Sequence, residues 1–180
     1  MKIRDVAIQG LKIIEPNIFS DERGNFFEAY NQQNFINAGI TDHFIQDNQS
    51  VSNKNVLRGL HFQTGNFAQA KLVRVIRGTV LDVAVDLRSN SPTFGQHFSL
   101  ELSEFNNLMF YIPIGFAHGF VALEDKTIFE YKCSALYNKQ SEGGIHWQDP
   151  ILNINWEIKN PIISNKDAIL PTFNANAFYF

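Results

Sequence analysis

Along Gly78 to Arg88 apolar and polar positions alternate, so that Leu81, Val83, Val85 and Leu87 share one face of an extended chain and Asp82, Ala84 and Asp86 the other. A period of two predicts a strand. Phe116 to Leu123 has the same period, with Phe116, His118, Phe120 and Ala122 together, which sets a histidine within an aromatic face. If these two faces line a barrel interior, Asp82 and His118 pair there and each satisfies the other; solvent-facing or merely structural positions fit the spacing equally well. Most of the remaining chain consists of short alternating or β-branched runs broken by Gly, Pro, Asn and Asp, the pattern of an antiparallel sandwich or barrel. The expected fold class is therefore mainly all-β. Helix is scarce, the best candidate being Asn31 to Ala38, with Asn31 as N-cap and Gly39 as the stop. No internal repeat or linker is visible. The stretch from about residue 160 to Phe180, rich in Asn and Pro, is expected to wrap over the sheets.

The chain has 180 residues, which fits a single domain able to bury its own core. Its 17 phenylalanines and 44% hydrophobic content exclude a disordered polymer. A formal charge of -3 gives no general affinity for nucleic acid, so an anionic ligand must be held by a few placed Arg and Lys side chains. The single cysteine, Cys133, excludes an internal disulfide and a thiolate zinc cluster, and reads as a core thiol in a reducing compartment. The opening MKIRDVAIQGLKII has neither the unbroken apolar run of a signal peptide nor the length of a membrane span. A cytoplasmic protein without membrane or nucleic-acid partners is expected.

Candidate chemistry concentrates in two segments, LRGLHFQ (Leu57 to Gln63) and IPIGFAHGF (Ile112 to Phe120), each placing a histidine among glycines and apolar residues. Histidine is the side chain best suited to moving protons near neutral pH. Arg58 lies three residues before His61 and Lys71 ten residues after it, a grouping that points to an anionic substrate from which a proton is taken. Strict alternation puts Arg58 and His61 on opposite faces of a strand; Gly59 permits the bulge or bend that would bring them together. The motif histidines are single rather than clustered with carboxylates, which makes a metal site the weaker reading. His43, His97 and His146 have no motif context and are expected at surface or strand positions.

From about Glu15 to Pro171 the segments FSDERGNFFEAY, QDNQSVSNKNVLRGLHFQ, QAKLVRVIRGTVLDVAVDLR, SPTFGQHFSLELS, IPIGFAHGF, EYKCSALY, SEGGIHWQDP and SNKDAILP follow one another. This ordered set resembles the dTDP-4-dehydrorhamnose 3,5-epimerase family. The resemblance implies a cupin-type double-stranded β-helix, or jelly-roll barrel, that uses no cofactor. It implies inversion at C3 and C5 of dTDP-4-dehydro-6-deoxy-D-glucose, giving dTDP-4-dehydro-L-rhamnose for dTDP-L-rhamnose biosynthesis and cell-surface polysaccharide. The C4 ketone acidifies both neighbouring C–H bonds, so a base, an acid across the ring and a group that stabilises the enolate are sufficient.

On the family pattern His61 is the base, Tyr131 the acid, Asp167 the carboxylate that orients the imidazole, and Lys71 the residue near the C4 oxygen. His118, supported by Asp82, lines the site. Arg23, Glu28, Gln46, Asn48 and Arg58, with Glu142 and Lys166, map to substrate-binding positions, and the arginine fork suits a diphosphate. The family's N-terminal segment crosses to a neighbouring subunit, which implies a homodimer in which Arg23 and Glu28 serve the partner's site. Tyr137 either stacks on substrate or only packs. Rival readings are an epimerase acting at C3 alone in another deoxysugar pathway and, more weakly, a metal-dependent cupin or a non-catalytic sugar-nucleotide binding protein, which should have lost the base or the acid.

Overall fold

Period-two segments dominate the structure, a computed structural model that describes residues 1–180. In chain order the elements are β1 (Lys2–Asp5), β2 (Lys12–Glu15), β3 (Phe19–Asp21), β4 (Gly24–Phe26), α1 (Gln32–Asn37), β5 (Gln46–Ser52), β6 (Leu57–Gln63), β7 (Lys71–Arg77), β8 (Thr79–Asp86), β9 (His97–Ser103), β10 (Met109–Ile112), β11 (Phe116–Ala122), β12 (Thr127–Cys133) and β13 (Glu142–Gly144). Single 3₁₀ turns occupy Gly65–Phe67 and Asp167–Ile169. A six-stranded sheet of order β1-β2-β10-β7-β12-β5 faces a five-stranded sheet of order β13-β6-β11-β8-β9, and β3 and β4 form a separate hairpin. All strand pairs in these sheets are antiparallel, as in the expected jelly roll.

The interior between the sheets is filled by Val73, Val75, Phe110, Ile112 and Phe129 from one side and by Val80, Ala84, Leu102, Phe116 and Phe120 from the other. Phe120 and Phe129 stack across the gap with centroids 4.1 Å apart. The outer face of β8 and β11, carrying Leu81, Val83, Val85, Ala117 and Val121, is covered in turn by Ile145, Leu152, Trp156 and Phe173, with Tyr179 and Phe180 against them. Both faces of β8 and β11 are consequently buried. The cover supplies apolar contacts to one face, whereas the carboxylates of the other need partners inside the fold. Asp86, at the end of β8, finds them in Arg88, Ser91 and Thr93.

The helix forms where its caps predict. The Asn31 side chain accepts the Asn34 N–H at 3.2 Å, and Gly39, with φ 83°, turns the chain out of the helix. Phe35 packs with Ile40 onto Ile14, Leu72, Met109 and Tyr111 on the outside of the six-stranded sheet. Tyr111 donates its hydroxyl to Asp42, tying down the loop that follows α1. No helix is long and apolar enough to cross a membrane.

Candidate active site

β6 is irregular where it matters. His61 pairs with His118 and Arg58 with Phe120, so three steps along β6 oppose two along β11. The extra residue lies at Gly59 and Leu60, whose peptide bond is cis. Gly59 has φ 130°, and a Cβ there would stand 2.5 Å from Gly119 Cα, so only glycine fits. The bulge turns Arg58 and His61 into one cavity and removes the conflict that strict alternation creates.

That cavity has a volume of about 600 Å³, within the range of small-ligand sites. The five-stranded sheet contributes Arg58, His61, His118 and Phe120, the six-stranded sheet Asn48, Lys71 and Tyr131, and the loop from Ile162 to Asp167 closes one side. A side cavity of about 180 Å³ shares Asn48, His61, Lys71 and Tyr131 and adds Gln46, Gln63, Tyr137 and Glu142.

His61 Nε2 meets Asp167 Oδ1 at 2.7 Å. Asp167 is buried at the start of the second 3₁₀ turn, where its other oxygen accepts the Gly59 N–H at 3.4 Å and its own N–H donates to Ser164 Oγ at 3.0 Å. Burial works against ionisation of this carboxyl, but the hydrogen bond and charge of His61, with the Gly59 amide and Ser164, outweigh it and hold its pKa below the usual carboxylate range. An ionised Asp167 is an acceptor only, so Nε2 of His61 carries a proton and donates it in the hydrogen bond, and in the neutral imidazole Nδ1 is the accepting nitrogen.

A second pair lies deeper. His118 Nε2 and Asp82 Oδ2 are 2.8 Å apart and both residues are buried, with the other Asp82 oxygen lacking a partner. Burial pushes the His118 imidazole below the usual histidine value; Asp82 opposes this, and nearby Lys71 and His61 add to it. Lys71 is likewise pushed down by burial, against the pull of Cys133, Asp82 and Glu142. Its Nζ stands 6.0 Å from the centre of the Tyr131 ring. Burial raises the Tyr131 phenol above its ordinary value, Cys133 adding and Arg58 opposing, so it keeps its proton at neutral pH and is a donor.

The other residues expected at the site divide into two groups. Gln46 donates to Asn48 at 3.1 Å and accepts the Tyr137 N–H at 2.9 Å, while Asn48 reaches Cys133 Sγ at 3.6 Å. Arg58 gives only its Nε to Ser52 Oγ, at 3.2 Å. Glu142 pairs with Lys166 and accepts the Tyr137 hydroxyl at 3.1 Å. Arg23 and Glu28, by contrast, do not line either cavity of their own chain. Arg23 is exposed on the β3–β4 hairpin beside Asp21, and Glu28 accepts from Asn31 at 3.0 Å and Asn34 at 2.7 Å ahead of α1. His43, His97 and His146 also lie outside both cavities, and no three His, Cys, Asp or Glu side chains cluster as a metal-ligand set.

Sequence reasoning passed over Ser52, Gln63 and Ser164, which hold site residues in place. All three fall within the motif segments, but their partners lie elsewhere in the fold, and nothing local marks which polar residue of a motif supports another.

The profile of the dTDP-4-dehydrorhamnose 3,5-epimerase family matches residues 5–175. A dTDP-4-dehydrorhamnose 3,5-epimerase of Salmonella typhimurium is 51% identical over 175 residues, 95% of this chain and 94% of its own. The crystal structure of dTDP-4-dehydrorhamnose 3,5-epimerase from Elizabethkingia anophelis superposes with a TM-score of 0.92 at 50% identity, over 96% of each chain. That of a dTDP-6-deoxy-D-glucose-3,5-epimerase from Legionella pneumophila, in complex with dTDP-4-keto-L-rhamnose, gives a TM-score of 0.89 at 46% identity, over 96% of this chain and 98% of the other.

Proposed function

This chain belongs to the dTDP-4-dehydrorhamnose 3,5-epimerase family, and from that premise we propose that the cavity between its sheets converts dTDP-4-dehydro-6-deoxy-D-glucose to dTDP-4-dehydro-L-rhamnose. The observation that supports this reading is an imidazole held by a carboxylate on one sheet, His61 on Asp167, and a phenol that keeps its proton on the other, Tyr131, lining the same cavity. His61 takes a proton beside the C4 ketone through Nδ1. Tyr131 returns one from the opposite face, since a single residue would return the proton to the side it left. Lys71, free of any carboxylate partner, neutralises the charge that develops on the C4 oxygen. His118, fixed by Asp82, lines the sugar end.

Arg58 presents its terminal guanidinium nitrogens to the diphosphate. Gln46, Asn48, Glu142 and Lys166 surround the nucleotide end. The protein works as a homodimer in which the β3–β4 hairpin reaches a neighbouring subunit and delivers Arg23 and Glu28 there. In support, Phe19 and Phe26 face each other across that hairpin and remain 64% and 71% exposed in the single chain. A cytoplasmic location agrees with Cys133 as a free, buried thiol.

Proton NMR of dTDP-4-keto-6-deoxyglucose with the protein in deuterated water tests the reaction. Deuterium is expected at both C3 and C5 as the L-sugar accumulates. Exchange confined to C3 would replace the reading with a C3 epimerase, and no exchange would defeat it.

A further inference from the structure

We propose that Gln63 is a positioning residue that sets the nucleotide end of the site by clamping the loop that carries Tyr137, an inference that rests on the epimerase reading above. Gln63 lies two residues beyond His61 on β6, so the two side chains leave the same face of the strand. It is buried, and both polar atoms of its amide are bonded. Nε2 donates to the carbonyls of Phe67 at 2.7 Å and Leu136 at 3.1 Å, while Oε1 accepts the Asn138 N–H at 2.7 Å.

One side chain thus ties the 3₁₀ turn after β6 to the loop after β12. From the other sheet, Gln46 takes the intervening Tyr137 N–H at 2.9 Å. Three consecutive loop residues are therefore held through their backbones by two glutamines on opposing walls. The Tyr137 ring is 56% exposed at the rim of the side cavity, its hydroxyl on Glu142. An exposed ring on a clamped backbone is a preformed wall for a bound nucleotide, which lowers the ordering cost of binding. The position requires an amide. Glutamate has no donor for the two carbonyls, and methionine has neither donor nor a strong acceptor.

The test compares wild type, Gln63→Met, Gln63→Asn, Tyr137→Ala and the Gln63→Met/Tyr137→Ala double variant. It reads kcat and KM for the dTDP-4-keto sugar and the calorimetric affinity for dTDP. Gln63→Met is expected to raise KM and the dTDP dissociation constant about tenfold, the scale of one well-made buried hydrogen bond. Because His61 and Tyr131 are untouched, kcat stays within about threefold of wild type. Added to Tyr137→Ala, Gln63→Met produces no further rise, because it acts through that residue. An unchanged KM and dTDP affinity with a lowered melting temperature would overturn the proposal and make Gln63 a structural tie; so would full additivity with Tyr137→Ala. If Gln63→Met does not fold, Gln63→Asn carries the same comparison, because it keeps a neutral amide but is one methylene too short to reach all three backbone partners. A wild-type protein that binds dTDP without epimerising defeats the epimerase reading instead, and leaves the dTDP comparison intact.

Discussion

On the five-stranded sheet, His61 and His118 each commit Nε2 to a buried carboxylate, Asp167 at 2.7 Å and Asp82 at 2.8 Å. Across the cavity, Lys71 and Tyr131 on the six-stranded sheet have neither an ion-pair nor a hydrogen-bond partner among their neighbours, only longer-range charges. The first wall has its imidazoles oriented from behind, which in the proposed mechanism leaves accepting nitrogens for the substrate. The second holds a phenol that keeps its proton and a lysine with no carboxylate beside it. Inverting a carbon requires acceptance on one side and donation on the other, so in the proposed mechanism the asymmetry between the sheets carries more than any single residue.

Removing the acceptor should give the largest effect. His61→Ala is expected to lower turnover by about 10²–10⁴, the range for loss of a general base. The fold should be kept, since the side chain is 30% exposed at a cavity surface. Turnover assays alongside circular dichroism check both statements. Activity above about a tenth of wild type would place the base elsewhere.

On the donor wall, Lys71→Met retains the stem and removes the charge. Loss of about 10²–10³ in kcat is expected, as for other groups that stabilise a developing oxyanion. Stability should hold or rise, because the half-buried Lys71 amine loses solvation without gaining a close partner. A variant with wild-type kcat would show that the enolate is stabilised by another group. Tyr131→Phe cuts the same wall more finely, keeping the ring and its packing while deleting the proton. Inverted product should fall by about 10², while deuterium from solvent still enters the substrate and returns mainly with retained configuration. Undiminished L-sugar would mean that Tyr137 or water delivers the proton.

The two walls also differ in what the sequence discloses. Alternation at β8 and β11 places Asp82 and His118 on one face, and the 2.8 Å contact follows once those faces turn inward. Alternation could not say that the opposite face is buried too, because its cover comes from Ile145, Trp156 and Phe173 far along the chain. Arg58 and His61 obey no simple period, since the register of β6 slips at a glycine that its neighbour Gly119 leaves no room to replace. The contact between His61 and Asp167 spans 106 residues and has no local signal; only the resemblance anticipated it. Gln63 escaped both kinds of reading, because its partners are main-chain atoms of loops that exist only in the folded chain. Arg23 and Glu28 lie outside both active-site cavities of their own chain, a placement that composition and spacing cannot express.

The smallest effect concerns stability and probes whether His118 belongs to the accepting wall in its neutral form. Burial holds the folded imidazole below its ordinary value of 6.5, while the unfolded chain titrates near that value. Between the two the unfolded state binds more protons, so stability falls as the pH drops from about 6.5 toward the folded value, by at most about 1.4 kcal/mol per pH unit for one group. His97, also lowered by burial, acts in the same window. The carboxyls of Asp86, Glu142 and Asp167 lie below their usual range, so their contribution is intact at pH 5 and is lost only in more acidic solution. Urea midpoints from pH 7.5 to 5 for wild type, His118→Gln and His97→Gln separate the terms. The glutamine at 118 is expected to flatten the profile more than that at 97, because His118 is the more deeply buried. An unchanged slope in His118→Gln would mean that this imidazole folds already charged, and the five-stranded wall would then have one acceptor, His61, rather than two.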